Sequence, residues 1–249
     1  MTKKIVITGG HLTPAQAVIE ELKKEGNWEI YYFGRRFSFE GESSPSVESL
    51  VIPKMGVKFI SLPAGRLQRK FSRYTFISLL RIPVGFFIAL SWLVKIRPAV
   101  ILSFGGYVSV PAVLAGWLLR IPVLTHEQTV VSGFANRIDG FFAKKILVSF
   151  PESLKDFPSG KVVLTGNPIR KEVFNCPCLA GRQELSIVNC QLSDEPLPLI
   201  YITGGSQGSQ IINRAVVEVL PNLLEKYRIV HQCGKLDCRQ LAARSSQLV

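Results

Sequence analysis

Residues 4–16, Lys-Ile-Val-Ile-Thr-Gly-Gly-His-Leu-Thr-Pro-Ala-Gln, decide the fold. A short β-branched run ends in two glycines, and a polar turn then opens a helix. Thr13 reads as the N-cap, Pro14 as the first helical residue and Gln16 as the far side of a capping box, with Gly26 closing the helix. A strand, a glycine turn and a helix form the opening unit of a parallel sheet, whose neighbouring strands need long crossovers. The pattern recurs outward from this unit. Trp28–Phe33, Val57–Ile60, Ala99–Ser103, Pro122–Thr125, Lys145–Ser149 and Lys161–Thr165 read as further strands spaced for crossover helices. Residues 37–50, rich in Ser and Glu, read as a surface loop.

The texture changes after Arg170, where residues 172–197 carry three cysteines and no clear periodicity. Leu199–Gly208, Leu-Ile-Tyr-Ile-Thr-Gly-Gly-Ser-Gln-Gly, then repeats the opening unit, followed by a helical stretch Ile211–Leu224 and a strand Arg228–Gln232. The chain is therefore α/β, with two Rossmann-like domains. The linker region is 166–196, and the division is drawn between a domain 1–168 and a region 169–249. The second domain has room for about two strands, fewer than the five or six of an ordinary sheet, and is expected to be incomplete.

Composition narrows the function. The 249 residues carry 30 Lys+Arg against 18 Asp+Glu, a formal charge of +12, with a mean hydropathy of +0.24. A basic and apolar chain suits an anionic partner such as a phosphorylated substrate or a membrane surface. The basic residues cluster beside apolar ones rather than forming a stripe, which argues against nucleic acid. Five cysteines, none in the first 175 residues, make no disulfide framework, and their spacing lacks the paired geometry of a zinc site. The N-terminus has no apolar run long enough for a signal peptide, so a cytoplasmic protein is expected.

Residues 66–97 hold the most apolar stretch, Tyr74–Ile96, flanked by Arg66, Arg69, Lys70, Arg73, Lys95 and Arg97. Arg81 and Pro83 leave no uncharged run of the roughly 20 residues that a spanning helix needs. Two readings stay open: a helix resting on an anionic bilayer surface, and a crossover helix buried against the sheet.

The loops at strand ends carry the chemistry. Thr8-Gly9-Gly10-His11 puts backbone N–H groups and a helix N-terminus where an anion or sugar hydroxyl can bind. It is not a G-x-G-x-x-G fingerprint, and Gly34-Arg35-Arg36 lacks the acid that would hold an NAD ribose, so a dehydrogenase is disfavoured. Gly204–Gly208 lacks the lysine of a Walker A loop, which disfavours a P-loop NTPase. Gly105-Gly106-Tyr107, His126-Glu127-Gln128 and Gly166-Asn167-Pro168-Ile169-Arg170 follow other strands. Strand ends of a doubly wound sheet share one edge, so His11, Tyr107, His126, Glu127 and Arg170 are expected to converge there.

In this order and spacing, TGGHLTPA (8–15), the GGYVS stretch (105–109), HEQ (126–128), GNPIR (166–170) and GGSQG (204–208) resemble the MurG family of GT-B glycosyltransferases. The resemblance spans residue 4 to about residue 234. It implies a GT-B-type fold and inverting transfer of GlcNAc from UDP-GlcNAc to lipid I, making lipid II at the cytoplasmic face of the inner membrane, where the protein is peripheral. No cofactor or metal is implied. By the same resemblance His11 is the candidate base, with His126 and Glu127 in acceptor binding or as alternative bases. Thr8, Gly9 and Gly10 would approach the donor from the first domain, and Arg170 and Ser206 would hold the diphosphate. Tyr107, Thr129 and Gln207 complete the expected substrate contacts. The segment 66–97 matches the family's membrane-docking region. Two departures stand out: Val6-Ile7 replace leading glycines of the first loop, and Thr129 stands where the family has Asn. Two rival readings remain, a membrane-associated fragment that binds lipid I without transfer, and a related diacylglycerol glycosyltransferase.

Overall fold

The computed structural model describes residues 2–37, 45–63, 73–171, 197–204 and 208–233, with side chains described within these except for 73–81. The chain divides into two compact units, Met1–Ala180 and Gly181–Val249.

The first unit is built on seven strands: β1 (Lys3–Thr8), β2 (Trp28–Gly34), β3 (Lys58–Ser61), β4 (Val100–Ser103), β5 (Val123–Glu127), β6 (Lys145–Val148) and β7 (Val162–Leu164). They form one sheet in the order β3-β2-β1-β4-β5-β6-β7, and every pair is parallel. Helices α1 (Leu12–Glu25), α2 (Val47–Lys54), α3 (Arg73–Ile96), α4 (Ser109–Leu118) and α5 (Phe134–Phe142) provide the crossovers between successive strands up to β6, and a short 3-10 helix (Pro151–Asp156) leads into β7.

Successive strand residues face opposite sides, and both sides are apolar because both are covered. Ile5, Ile7, Ile30, Tyr32 and Leu102 pack with Ala15, Ile19 and Ile52 of α1 and α2. Val6, Phe33, Ile101, Val123 and Ile146 pack with Ala89, Leu93, Ala112 and Ala115 of α3 and α4. The strand order reverses direction between β1 and β4, so their carboxyl ends frame the crevice of a doubly wound sheet.

Two local expectations need correction. Helix α1 starts earlier than Thr13: its N-cap is His11, with no side-chain cap, and it ends at Gly26 as expected. The capping box does not form. The amide of Gln16 turns instead to the sulfur of Met55, 4.0 Å away. Pro14 is still tolerated, since the first turn has no intrahelical acceptor for its missing N–H. Residues 47–50, read as loop, begin α2. Ser46 caps that helix by accepting from the Ser49 backbone N–H at 3.1 Å, and its own hydroxyl donates to the Arg35 carbonyl.

Helix α3 continues through Pro83. Ala89, Leu93 and Ile96 lie against the core, while Phe87 is 64% exposed and Trp92 and Val94 also face outward. One face of α3 is thus buried against the sheet and the other is open. Among the described residues no helix is long and apolar enough to cross a membrane.

The second unit, by itself, holds the parallel pair β8 (Leu199–Thr203) and β9 (Arg228–Gln232) joined through α6 (Gln210–Leu224). Asn213 of α6 donates to the Cys233 carbonyl at 2.8 Å, fastening the helix to the end of β9.

Candidate functional site

The site starts at the switch point. Gly9 has φ of +141°, and a Cβ there would meet the Phe104 backbone and side chain at 2.9 Å. This close approach lets the two glycine turns lie backbone on backbone. Gly10 N–H donates to the Gly105 carbonyl at 2.8 Å, and Phe104 N–H donates to the Thr8 carbonyl at 2.7 Å. Tyr32 of β2 supports the first turn by donating to the Gly9 carbonyl at 2.9 Å.

His11 stands on this platform with an exposed ring. Its Nδ1 lies 2.9 Å from the Phe104 carbonyl oxygen, which can only accept. Nδ1 therefore carries the hydrogen, and Nε2 is left with its lone pair, the form a general base requires.

His126 and Glu127 are arranged differently. His126 is buried, with Nε2 3.1 Å from the Gly166 carbonyl and Nδ1 3.1 Å from the Gln128 amide nitrogen. Both ring nitrogens are engaged within the chain, and burial lowers the pKa of the ring, which keeps it neutral. Glu127 is buried and accepts on both oxygens. Thr129 N–H and Gly133 N–H donate at 3.0 Å each, and the Asn136 amide donates at 2.7 Å. The carboxylate thereby closes the 127–136 loop, and Thr129, an exposed residue, is one of its ties.

Tyr107 is half-buried on the second glycine turn, and its hydroxyl accepts from Arg35 at 3.1 Å. Arg35 in turn pairs with the buried Glu48 at 2.8 Å. Arg170 follows the Gly166 turn, and its Nε is buried without a hydrogen-bond partner. Thr8 Oγ1 is likewise buried and unpartnered. Ser206 and Gln207 lie outside the described residues. A cleft of about 210 Å³ opens beside these strand ends, lined by Val18, Leu102, Phe104, His126, Leu147 and Gly166 among others.

Sequence reasoning missed the second layer beneath the loops: Arg35, Glu48, Ser103, Ser109, Asn136 and Asp139. Asp139 of α5 is fully buried and faces Ser103 and Ser109. Burial pushes its carboxyl up to about 7, against the downward pull of the two hydroxyls. One signal was available. Ser132, Asn136, Asp139 and Ala143 recur at helical spacing, which puts an acid on the inward face of a short helix.

Comparison with known proteins places this geometry in a lineage. Residues 7–148 match the glycosyltransferase family 28 N-terminal domain, and residues 199–248 match the family 28 C-terminal domain. Among curated relatives, the UDP-N-acetylglucosamine–N-acetylmuramyl-(pentapeptide) pyrophosphoryl-undecaprenol N-acetylglucosamine transferase 2 of Bacillus cereus is 42% identical over 94% of this chain and 63% of its own length. A transferase of the same name from Clostridium botulinum is 39% identical with the same coverage. Among solved structures, Acinetobacter baumannii MurG superposes with a TM-score of 0.60 at 25% identity, covering 99% of this chain and 63% of that one. The UDP-GlcNAc 2-epimerase of Neisseria meningitidis, at 16% identity, has a TM-score of 0.58 over 99% of this chain and 69% of its own, a likeness of fold. This chain thus spans 63% of the length of the curated relatives it matches. With both domain matches falling on the two glycine-turn units, the chain belongs to glycosyltransferase family 28.

Proposed function

We propose that the chain carries the acceptor half, and part of the donor half, of an inverting N-acetylglucosaminyltransferase that moves GlcNAc from UDP-GlcNAc to the C4 hydroxyl of lipid I. The observation that carries this reading is His11: an imidazole with an unoccupied Nε2, held by the main chain at the switch point of a doubly wound sheet. In this reading Nε2 takes the hydroxyl proton as the oxygen attacks the anomeric carbon, and UDP departs with the bonding electrons. Thr8, Gly9 and Gly10 approach the donor. Arg170 offsets the charge of the leaving diphosphate, with Ser206 and backbone N–H groups as hydrogen-bond donors and Gln207 a further substrate contact, so that no metal ion is called for. His126, Glu127 and Tyr107 shape the acceptor side, the first two by fixing loops through the hydrogen bonds described above, and Thr129 stands at a donor-site position.

The reading extends to the cytoplasmic face of the membrane. Phe87, Trp117 and Phe141, on the helices that cover one face of the sheet, are each more than half exposed, and Lys95, Arg97, Arg120 and Lys144 are exposed nearby in sequence. Aromatic side chains among cations suit shallow docking on anionic lipid.

Transfer of labelled GlcNAc from UDP-GlcNAc to a soluble lipid I analogue tests the proposal. Product formation supports it. Absence of product with the analogue still bound supports the second reading, acceptor binding without transfer, which the 63% coverage of the relatives keeps in view.

A further inference from the structure

Beneath the second glycine turn, three oxygen–oxygen contacts run through Asp139. Ser103 Oγ lies 2.7 Å from Asp139 Oδ2, Ser109 Oγ lies 2.5 Å from the same oxygen, and Ser109 Oγ also lies 2.7 Å from the Gly106 carbonyl. Two serine hydrogens serve three contacts, so Ser109 either splits its hydrogen between Asp139 and Gly106 or receives one from Asp139. With an ionised carboxyl only the first arrangement is open, as for Ser153, whose hydroxyl lies between two carbonyls.

The surroundings of the two buried acids sharpen the contrast. Glu127 is served by N–H donors on both oxygens, and its Thr129 hydroxyl contact is shared with the Val131 carbonyl. Asp139 receives only hydroxyls, all on Oδ2, while Oδ1 is buried with no partner. A bare anionic oxygen in such a place is far more costly than a bare carbonyl oxygen. Among the described residues no cation touches it: Arg137 of α5 turns to Ser132 and Asp156. On β5, Glu127 is engaged with Asn136, Thr129 and Gly133, and His126 with Gly166 and Gln128.

We propose that Asp139 carries a proton on Oδ2 and is the positioning residue for the second glycine turn. The proton completes a one-way ring: Gly105 N–H donates to Ser103, Ser103 to Asp139, Asp139 to Ser109, and Ser109 to the Gly106 carbonyl. Each member is both donor and acceptor, which strengthens the chain. The ring fixes the turn whose Gly105 carbonyl receives Gly10 N–H and whose neighbour Phe104 holds His11. Loss of the proton leaves Ser109 to split its hydrogen between the carboxylate and Gly106, and loosens the platform under His11. The proton assignment stands on a buried carboxyl that meets hydroxyls alone, with Oδ1 bare and no cation beside it among the described residues. Its bearing on transfer rests on the function proposed above.

The chain has four aspartates, Asp139, Asp156, Asp194 and Asp237, so carboxyl-labelled aspartate gives four resonances in a carbon NMR titration. One of them, removed by Asp139→Asn, is expected to titrate well above the ordinary aspartate range. If Asp139→Asn does not fold, substituting the other three in turn assigns the signal by elimination. Four resonances all titrating below about pH 5 overturn the proposal, as does a raised resonance that belongs to another aspartate. In the transfer assay, Asp139→Asn, which keeps a neutral donor to Ser109 but cannot also accept from Ser103 on the same atom, is expected to lower activity modestly at about pH 6 and to remove the wild-type decline above about pH 8. A chain with no turnover at any pH sinks the transferase reading and leaves the NMR result to decide on the proton.

Discussion

At the scale of single residues, the site separates histidines that the sequence could not. Both His11 and His126 follow strands, and both resemble family positions. The difference lies in what their nitrogens meet, which depends on contacts across 93 and 40 residues of chain. His11 keeps a free nitrogen and His126 keeps none. His11→Ala is therefore expected to lower turnover by about 10²- to 10⁴-fold while the thermal melt stays unchanged. His126→Ala should instead destabilise the fold by about 1–3 kcal/mol in urea titration, since it strips partners from Gly166 and Gln128. Two of the buried titratable groups, Asp139 and His126, also set a pH profile. The carboxyl of Asp139 is raised in the fold from 3.8 to about 7, so its contribution is full below about pH 4 and is lost as pH rises through 7. His126 is lowered, so its contribution is present above the ordinary histidine range and is lost as pH falls. Asp139→Asn is expected to remove the fall in the wild-type urea midpoint between about pH 4 and pH 8.

At the scale of elements, strands were legible because both faces of a parallel sheet are apolar and each run ends at a turn residue. All nine described strands overlap the runs read from sequence. Helix starts were less legible. Thr13-Pro14 has the composition of an N-terminus, but the long-range bond of His11 to Phe104 and the glycine contact beside it decide where the turn ends. The second layer of the site was invisible for a related reason: Asn136 and Asp139 are ordinary polar residues until α5 is laid under the Gly105 turn. Gly9 tests the element packing. With φ of +141° and Phe104 atoms 2.9 Å from any added Cβ, Gly9→Ala is expected to cost several kcal/mol in chemical denaturation, well beyond an ordinary glycine substitution. Ser46→Ala removes the cap of α2 and should cost about 1 kcal/mol.

For the whole molecule, the +12 charge and positive hydropathy resolve into a surface. The helices covering one side of the first unit bury Ala89, Leu93 and Ala112 and present Phe87, Trp117 and Phe141 to solvent. Replacing Phe87 and Trp117 together by Ser is expected to lower binding to anionic vesicles by about tenfold or more without lowering the melting temperature, since both are more than half exposed. Equal binding by the variant and the wild type in a vesicle sedimentation assay would remove this surface from the docking model. The two family 28 matches fall one on each compact unit, on the strand–glycine–helix pattern that residues 4–16 and 199–208 share. Organisation at this scale was legible because it repeats.

The bond that orients His11 ends on a main-chain oxygen, not on another side chain. Many catalytic histidines depend on a carboxylate partner that one nucleotide change can delete. Here the partner is present whatever residue occupies position 104. The tautomer is therefore insulated from point substitution and vulnerable to the path of the backbone. In a saturation scan, losses of turnover should collect at Gly9 and Gly105, which shape that path, and not at a single acidic neighbour.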